Sequence, residues 1–146
     1  MKKLLMVSAM ALATLLVQES ARADPATGVI CQPKSSTDAA NVRYTGNRIM
    51  NTSTTASATV NCSIGQSASP TATVQDNSSA QNINCVGFYY VTGILSNAGS
   101  RSSSGTGTQN LSWNPVGIGE VWSIGCTLPP AAGTSESQMS SIEMVQ

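Results

Sequence analysis

Ala58-Thr59-Val60-Asn61-Cys62-Ser63-Ile64 alternates small or apolar residues with polar ones at every step. A period of two is that of a β-strand covered on one face. Ala58, Val60, Cys62 and Ile64 fall on one side, and Thr59, Asn61 and Ser63 on the other. Trp122-Ser123-Ile124-Gly125-Cys126-Thr127-Leu128 repeats the pattern, and Pro129-Pro130 stops it. A cysteine sits on the apolar side of both stretches, as it would in a bridge buried within or between packed sheets.

Working outward, similar short segments recur, broken every eight to twelve residues by Gly, Asn, Ser or Pro. Val29 and Cys31 share a parity before Pro33. Asn41 to Met50 is a second segment, bent at Gly46-Asn47, and Thr71 to Gln75 has the Thr-rich composition of a half-exposed strand. Ile83 to Ile94, with Cys85, Phe88, Tyr89, Tyr90 and Val91, is the most apolar stretch after the N-terminal one. Leu111 with Trp113, and then Ser140 to Val145, complete about eight strands. Helix is expected to be negligible, because Val, Thr and Ile dominate the periodic segments. The reading is all-β: a single antiparallel β-sandwich with Greek-key or meander connections, with a small closed barrel as the alternative. Ser96 to Thr108 has the composition of a mobile hairpin connection, or of a binding loop carrying Arg101. Ala131 to Gln138 is a second polar connection.

At the N-terminus Lys2 and Lys3 precede an apolar run from Leu4 to Val17, followed by Ala21-Arg22-Ala23. These are the parts of a secretory signal peptide cleaved after Ala23, so that residues 1–23 form the leader and 24–146 one exported domain, periplasmic or extracellular. The run is shorter than the ~20 residues that span a bilayer, so no membrane-spanning segment is expected. An even set of four cysteines, Cys31, Cys62, Cys85 and Cys126, then reads as two disulfides. Three pairings are open, and chain order favours Cys31–Cys62 with Cys85–Cys126.

Composition narrows the chemistry. The sequence has no histidine, and the part after Ala23 has four basic against six acidic residues, a net charge of −2. That excludes a nucleic-acid binder. No metal or cofactor is expected, since there is no Cys-x-x-Cys pair and no imidazole. A nucleophilic serine lacks its usual base. Lys34 beside Ser35 and Ser36 is a poor substitute, and Glu120, next to the Trp122 strand, reads as a solvated strand-edge residue. Asp76-Asn77-Ser78 reads as a turn rather than a calcium loop. An enzyme is not expected.

Binding residues are sought among the aromatics. Trp113 and Trp122 lie on core parities. Tyr89 and Tyr90 are adjacent, so one must leave the face the other enters. Tyr90 and Tyr44 with Arg43 make a candidate recognition patch, and Arg101 is the candidate from the loop. Asn51, Asn61, Asn77 and Asn110 open Asn-x-Ser/Thr sequons, unremarkable in a domain in which 44 of 123 residues are Ser, Thr or Asn.

Several landmarks occur together: Cys31-Gln32-Pro33, Arg43-Tyr44, Gly46-Asn47, Asn51, Val60-Asn61-Cys62, Asn84-Cys85 and Ser123-Ile124-Gly125-Cys126-Thr127-Leu128-Pro129. With these the chain resembles a loose group of small exported four-cysteine proteins from proteobacteria. Ser63 stands where many of that group have proline. The group has no assigned activity, so the resemblance implies an exported, disulfide-linked β-domain and no catalytic residue. Two function classes follow as expectations. One is surface recognition of glycans or other envelope molecules. The other is a structural subunit of a cell-surface or extracellular assembly, self-associating through its sheet edges or its N-terminal arm.

Overall fold

The computed structural model describes residues 26–27, 31–46, 48–66, 69–114 and 121–145. The expected leader and Glu120 lie outside them. The strands are β1 (Ala26–Thr27), β2 (Cys31–Pro33), β3 (Val42–Thr45), β4 (Arg48–Asn51), β5 (Ala58–Gln66) and β6 (Ser69–Asp76). They continue with β7 (Asn84–Val91), β8 (Ile94–Ser102), β9 (Gly107–Ser112), β10 (Val121–Leu128) and β11 (Gln138–Val145). One short helix, α1 (Ser36–Asn41), joins β2 to β3.

All pairings are antiparallel. One sheet, called A here, runs β3-β4-β11-β6-β9, with β1 also paired to β11; sheet B runs β2-β5-β10-β7-β8. Both sheets have free ends, so the architecture is a sandwich and not a closed barrel. A meander would pair consecutive strands, but only β3–β4 and β7–β8 do so. Every other connection crosses between the sheets.

The alternation in β5 and β10 acts as expected. Val60, Cys62, Ile64, Trp122, Ile124, Cys126 and Leu128 are buried between the sheets, against Ile49, Ala72, Val74, Leu111 and Trp113. Cys31 lies directly opposite Cys62 across β2 and β5, and Cys85 opposite Cys126 across β7 and β10. These are the two disulfides, Cys31–Cys62 and Cys85–Cys126. Both lie within sheet B, and all four residues are fully buried.

Ser96 to Thr108 is not the loop its composition suggests. Most of it is β8 and the start of β9, joined by the four residues 103–106 as the chain passes from one sheet to the other. Local propensity loses here to the β7–β8 hairpin. Thr92 and Gly93 both have positive φ, 48° and 83°, the geometry of a two-residue turn whose twist matches its strands. The register then pairs every β7 residue, and Ala98 packs against the core. The Asn41–Met50 segment divides at Gly46 into β3 and β4. Helix α1 arises because the Ser35 hydroxyl accepts from the Asp38 N–H at 3.1 Å, an N-cap for six residues otherwise flanked by strands.

Two buried polar residues stand where the chain leaves sheet A for sheet B. Asn51 ends β4 and Asp76 ends β6, and both are fully buried. Each accepts the N–H of the serine two residues on, Ser53 at 2.9 Å and Ser78 at 2.9 Å. Each serine hydroxyl then accepts backbone N–H groups further along, Thr55 and Ala56 in one case, Ala80 and Gln81 in the other. The same Asx-x-Ser corner is thus used twice.

Gly87 is required by close approach. A Cβ there would lie 2.7 Å from Nε1 of Trp113, a ring 1% exposed whose N–H donates to the Gly99 carbonyl at 2.9 Å. Gly87→Ala is expected to lower stability by about 2 kcal/mol through overpacking. Urea unfolding followed by tryptophan fluorescence measures it, and an unchanged midpoint would show that the ring has somewhere to move.

Candidate recognition surface

The sequence-read candidates do not form one patch. Arg43 and Tyr44 are on β3, at one edge of sheet A; Tyr90 is on β7, fourth of the five strands of sheet B counted from β2. Tyr44 shares the parity of the half-buried Val42, and its hydroxyl donates to the Cys31 carbonyl at 2.7 Å, joining β3 to β2 where the sandwich would otherwise open. Burial pushes its phenol pKa up. Arg43 donates to both carboxylate oxygens of Glu136, at 3.0 and 2.9 Å, an exposed pair worth under about 1 kcal/mol. Arg101 sits on β8, and its Nε donates to the Ser112 carbonyl of β9 at 2.9 Å. Tyr44 and Arg101 therefore clasp the two open sides of the sandwich. Tyr90 is 46% exposed, while Tyr89 turns inward against Trp122 with ring centroids 5.4 Å apart, as adjacent strand residues must.

A surface concavity lies elsewhere, on the outer face of sheet B, over Gly125. In β10 that glycine stands directly between Asn61 of β5 and Val86 of β7. Its missing side chain lets Oδ1 of Asn61 approach the strand, since a Cβ there would lie 2.9 Å from that oxygen. Gly125 floors a depression of about 210 Å³ walled by Lys34, Thr59, Asn61, Asn84, Val86, Phe88 and Thr127. A second depression of about 310 Å³ continues it toward Gln32, Pro33 and Ser63, sharing Lys34 and Asn61.

The lining offers amides, hydroxyls, one ammonium and the half-buried Phe88 ring. Among the described residues it contains no carboxyl, imidazole or thiol. Part of it is already organised: the Thr59 and Thr127 hydroxyls lie 3.3 Å apart, and Asn84 donates to the Ser102 hydroxyl at 2.8 Å. Asn61 makes no side-chain hydrogen bond among the described residues. The nearby Asp38 is held below the usual carboxylate range by the Ser35 hydroxyl, then by the Thr59 backbone N–H at 2.7 Å, with Lys34 contributing last. Its carboxylate is thus engaged in holding α1 to β5 and does not form an ion pair with Lys34.

Sequence reading missed Lys34, Asn61, Phe88 and Gly125 as one site. A usable signal was present: glycine inside an otherwise regular strand marks a close approach or a gap. No known family matches the chain, and no characterised protein matches it. Two disulfides mark an oxidising compartment, and no helix among the described residues is long and apolar enough to cross a membrane.

Proposed function

We propose that this is an exported, non-enzymatic recognition protein that binds a neutral glycan of the cell envelope or its surroundings in the groove over Gly125. The observation that carries this reading is one depression over Gly125 lined by both the Phe88 ring and the Asn61 amide, which has no side-chain hydrogen bond among the described residues. A sugar presents hydroxyls around its rim and a C–H face. An amide, which both donates and accepts, suits the rim, and an aromatic ring suits the face. Export is supported by the leader-like N-terminus and by both disulfides. The groove's lack of a carboxyl or imidazole favours binding over hydrolysis. A subunit role in a surface assembly remains the second reading, favoured by the uncharged first half of β8, Ile94 to Ser96.

Affinity electrophoresis of the disulfide-bonded protein against a panel of envelope and extracellular polysaccharides tests this. Phe88→Ala and Asn61→Ala should each weaken the retarding interaction about tenfold. Arg43→Ala, remote from the groove, should leave it unchanged. Absence of retardation by any glycan, or retardation indifferent to Phe88→Ala, overturns the proposal.

A further inference from the structure

Strand β8 is one of the two edges of sheet B among the described residues, and its two halves differ. The half beyond Asn97 is covered. Ala98 is the extra residue of a bulge, Trp113 donates to the Gly99 carbonyl, and Arg101 reaches across to β9. The half from Ile94 to Ser96 has no such cover among the described residues. The two-residue turn at Thr92-Gly93 makes Val91 and Ile94 the hydrogen-bonded closing pair. Tyr90 and Leu95 are then a non-hydrogen-bonded pair, and the N–H and C=O of Leu95 turn away from β7 to the open side.

The side chains add to this. Leu95, Tyr90 and Val121 lie directly opposite one another across β8, β7 and β10, so they share the outer face of sheet B. They are 53%, 46% and 47% exposed, and Ile94 at the strand's start is 67% exposed. No charged residue occurs from Asn77 to Ser100. Free edges are ordinarily blunted by charge, proline or a bulge, and here the bulge protects only the far half.

We propose that a second copy of this chain pairs with this edge, β8 against β8, about a twofold axis at Leu95. A twofold sets the segment against a copy of itself. A charged segment would repel itself there, and Ile94 to Ser96 has no charge to oppose. Leu95 would face Leu95 and Ile94 would face Ser96, and the two apolar rows would join into one across a ten-stranded sheet. The occupant is an extended backbone because the unpaired N–H and C=O of Leu95 need one. So short a contact gives a weak dimer, below the area of standard stable interfaces. Pairing within sheet B puts both Gly125 grooves on the same face, which would make binding to a polymer bivalent. The dimer itself does not rest on the glycan reading.

Sedimentation of the disulfide-bonded protein from micromolar to millimolar concentration tests this, with amide hydrogen exchange at Leu95 read in parallel. The mass should rise from one chain toward two and go no further, and the Leu95 amide should gain protection as it does. Leu95→Lys, at a half-exposed site outside the core, should weaken dimerisation at least tenfold. A single chain at every concentration, a dimer that tolerates Leu95→Lys, or an open-ended polymer each overturns it.

Discussion

Reduction of both disulfides is expected to unfold the domain at room temperature in buffer without denaturant. The bridges close loops with sequence separations of 31 and 41 residues. In the chain-entropy account each is worth about 4 kcal/mol at most. Two of them approach the whole stability of an ordinary domain, about 5–15 kcal/mol. Their placement sharpens the expectation. One bolts the three-residue edge strand β2 to β5, the other bolts β7 to β10, and the β5–β10 pairing lies between them. Four of the five strands of sheet B therefore carry a bridge, and the fifth, β8, pairs with one of them. Replacing Cys31 and Cys62 by Ala should free β2 and lower the urea midpoint while leaving a folded protein. Replacing Cys85 and Cys126 by Ala loosens the middle of the sheet, under Trp122, and should cost more. Tryptophan fluorescence across a urea titration, with and without reductant, reads all three. A reduced protein with an unchanged midpoint would show that the core alone holds the sandwich.

The bridges were within reach of sequence reading because Cys62, Cys85 and Cys126 sit on the apolar parity of regular strands, and parity survives folding. What failed was whatever depends on neighbours distant in the chain. Strand β8 is written in Ser, Gly and Asn, and only its hairpin with β7 and the contacts of Trp113 and Arg101 make it a strand. Parity says whether a side chain faces in or out, but not which edge of one sheet lies over which edge of the other. That Tyr44 and Arg101, read as recognition candidates, also join the sheets at opposite sides was therefore not legible. The groove was hidden for the same reason. Asn61 and Val86 flank Gly125 only because β5 and β7 both pair with β10, an arrangement that no local pattern announces.

The two Asx corners look interchangeable in sequence, and their chemistry is opposite. The Asn51 amide donates toward the carbonyls of Ala56, Leu128 and Pro129, at 2.9, 3.0 and 3.0 Å. The Asp76 carboxyl accepts, from the N–H of Ile83 at 3.1 Å and from the Ser103 hydroxyl. Isosteric exchange therefore reverses the match at either corner. Asn51→Asp would set a carboxylate, fully buried, against three carbonyl oxygens, and is expected to cost about 3–5 kcal/mol at neutral pH. Burial and those oxygens raise the folded-state pKa of the introduced carboxyl above its unfolded value of about 3.9. The penalty is then smallest below that value and grows by about 1.4 kcal/mol per pH unit until the folded-state pKa is passed. The variant's urea midpoint should accordingly move back toward that of the parent between pH 7 and pH 4. Asp76→Asn turns an amide N–H₂ toward groups that need an acceptor and should cost about 2 kcal/mol, since Ile83 retains the Ser103 hydroxyl at 2.8 Å. A parent-like midpoint for Asn51→Asp at pH 7 would mean that water reaches this corner. The crossing from sheet A to sheet B would then depend on the backbone turn and not on the buried amide.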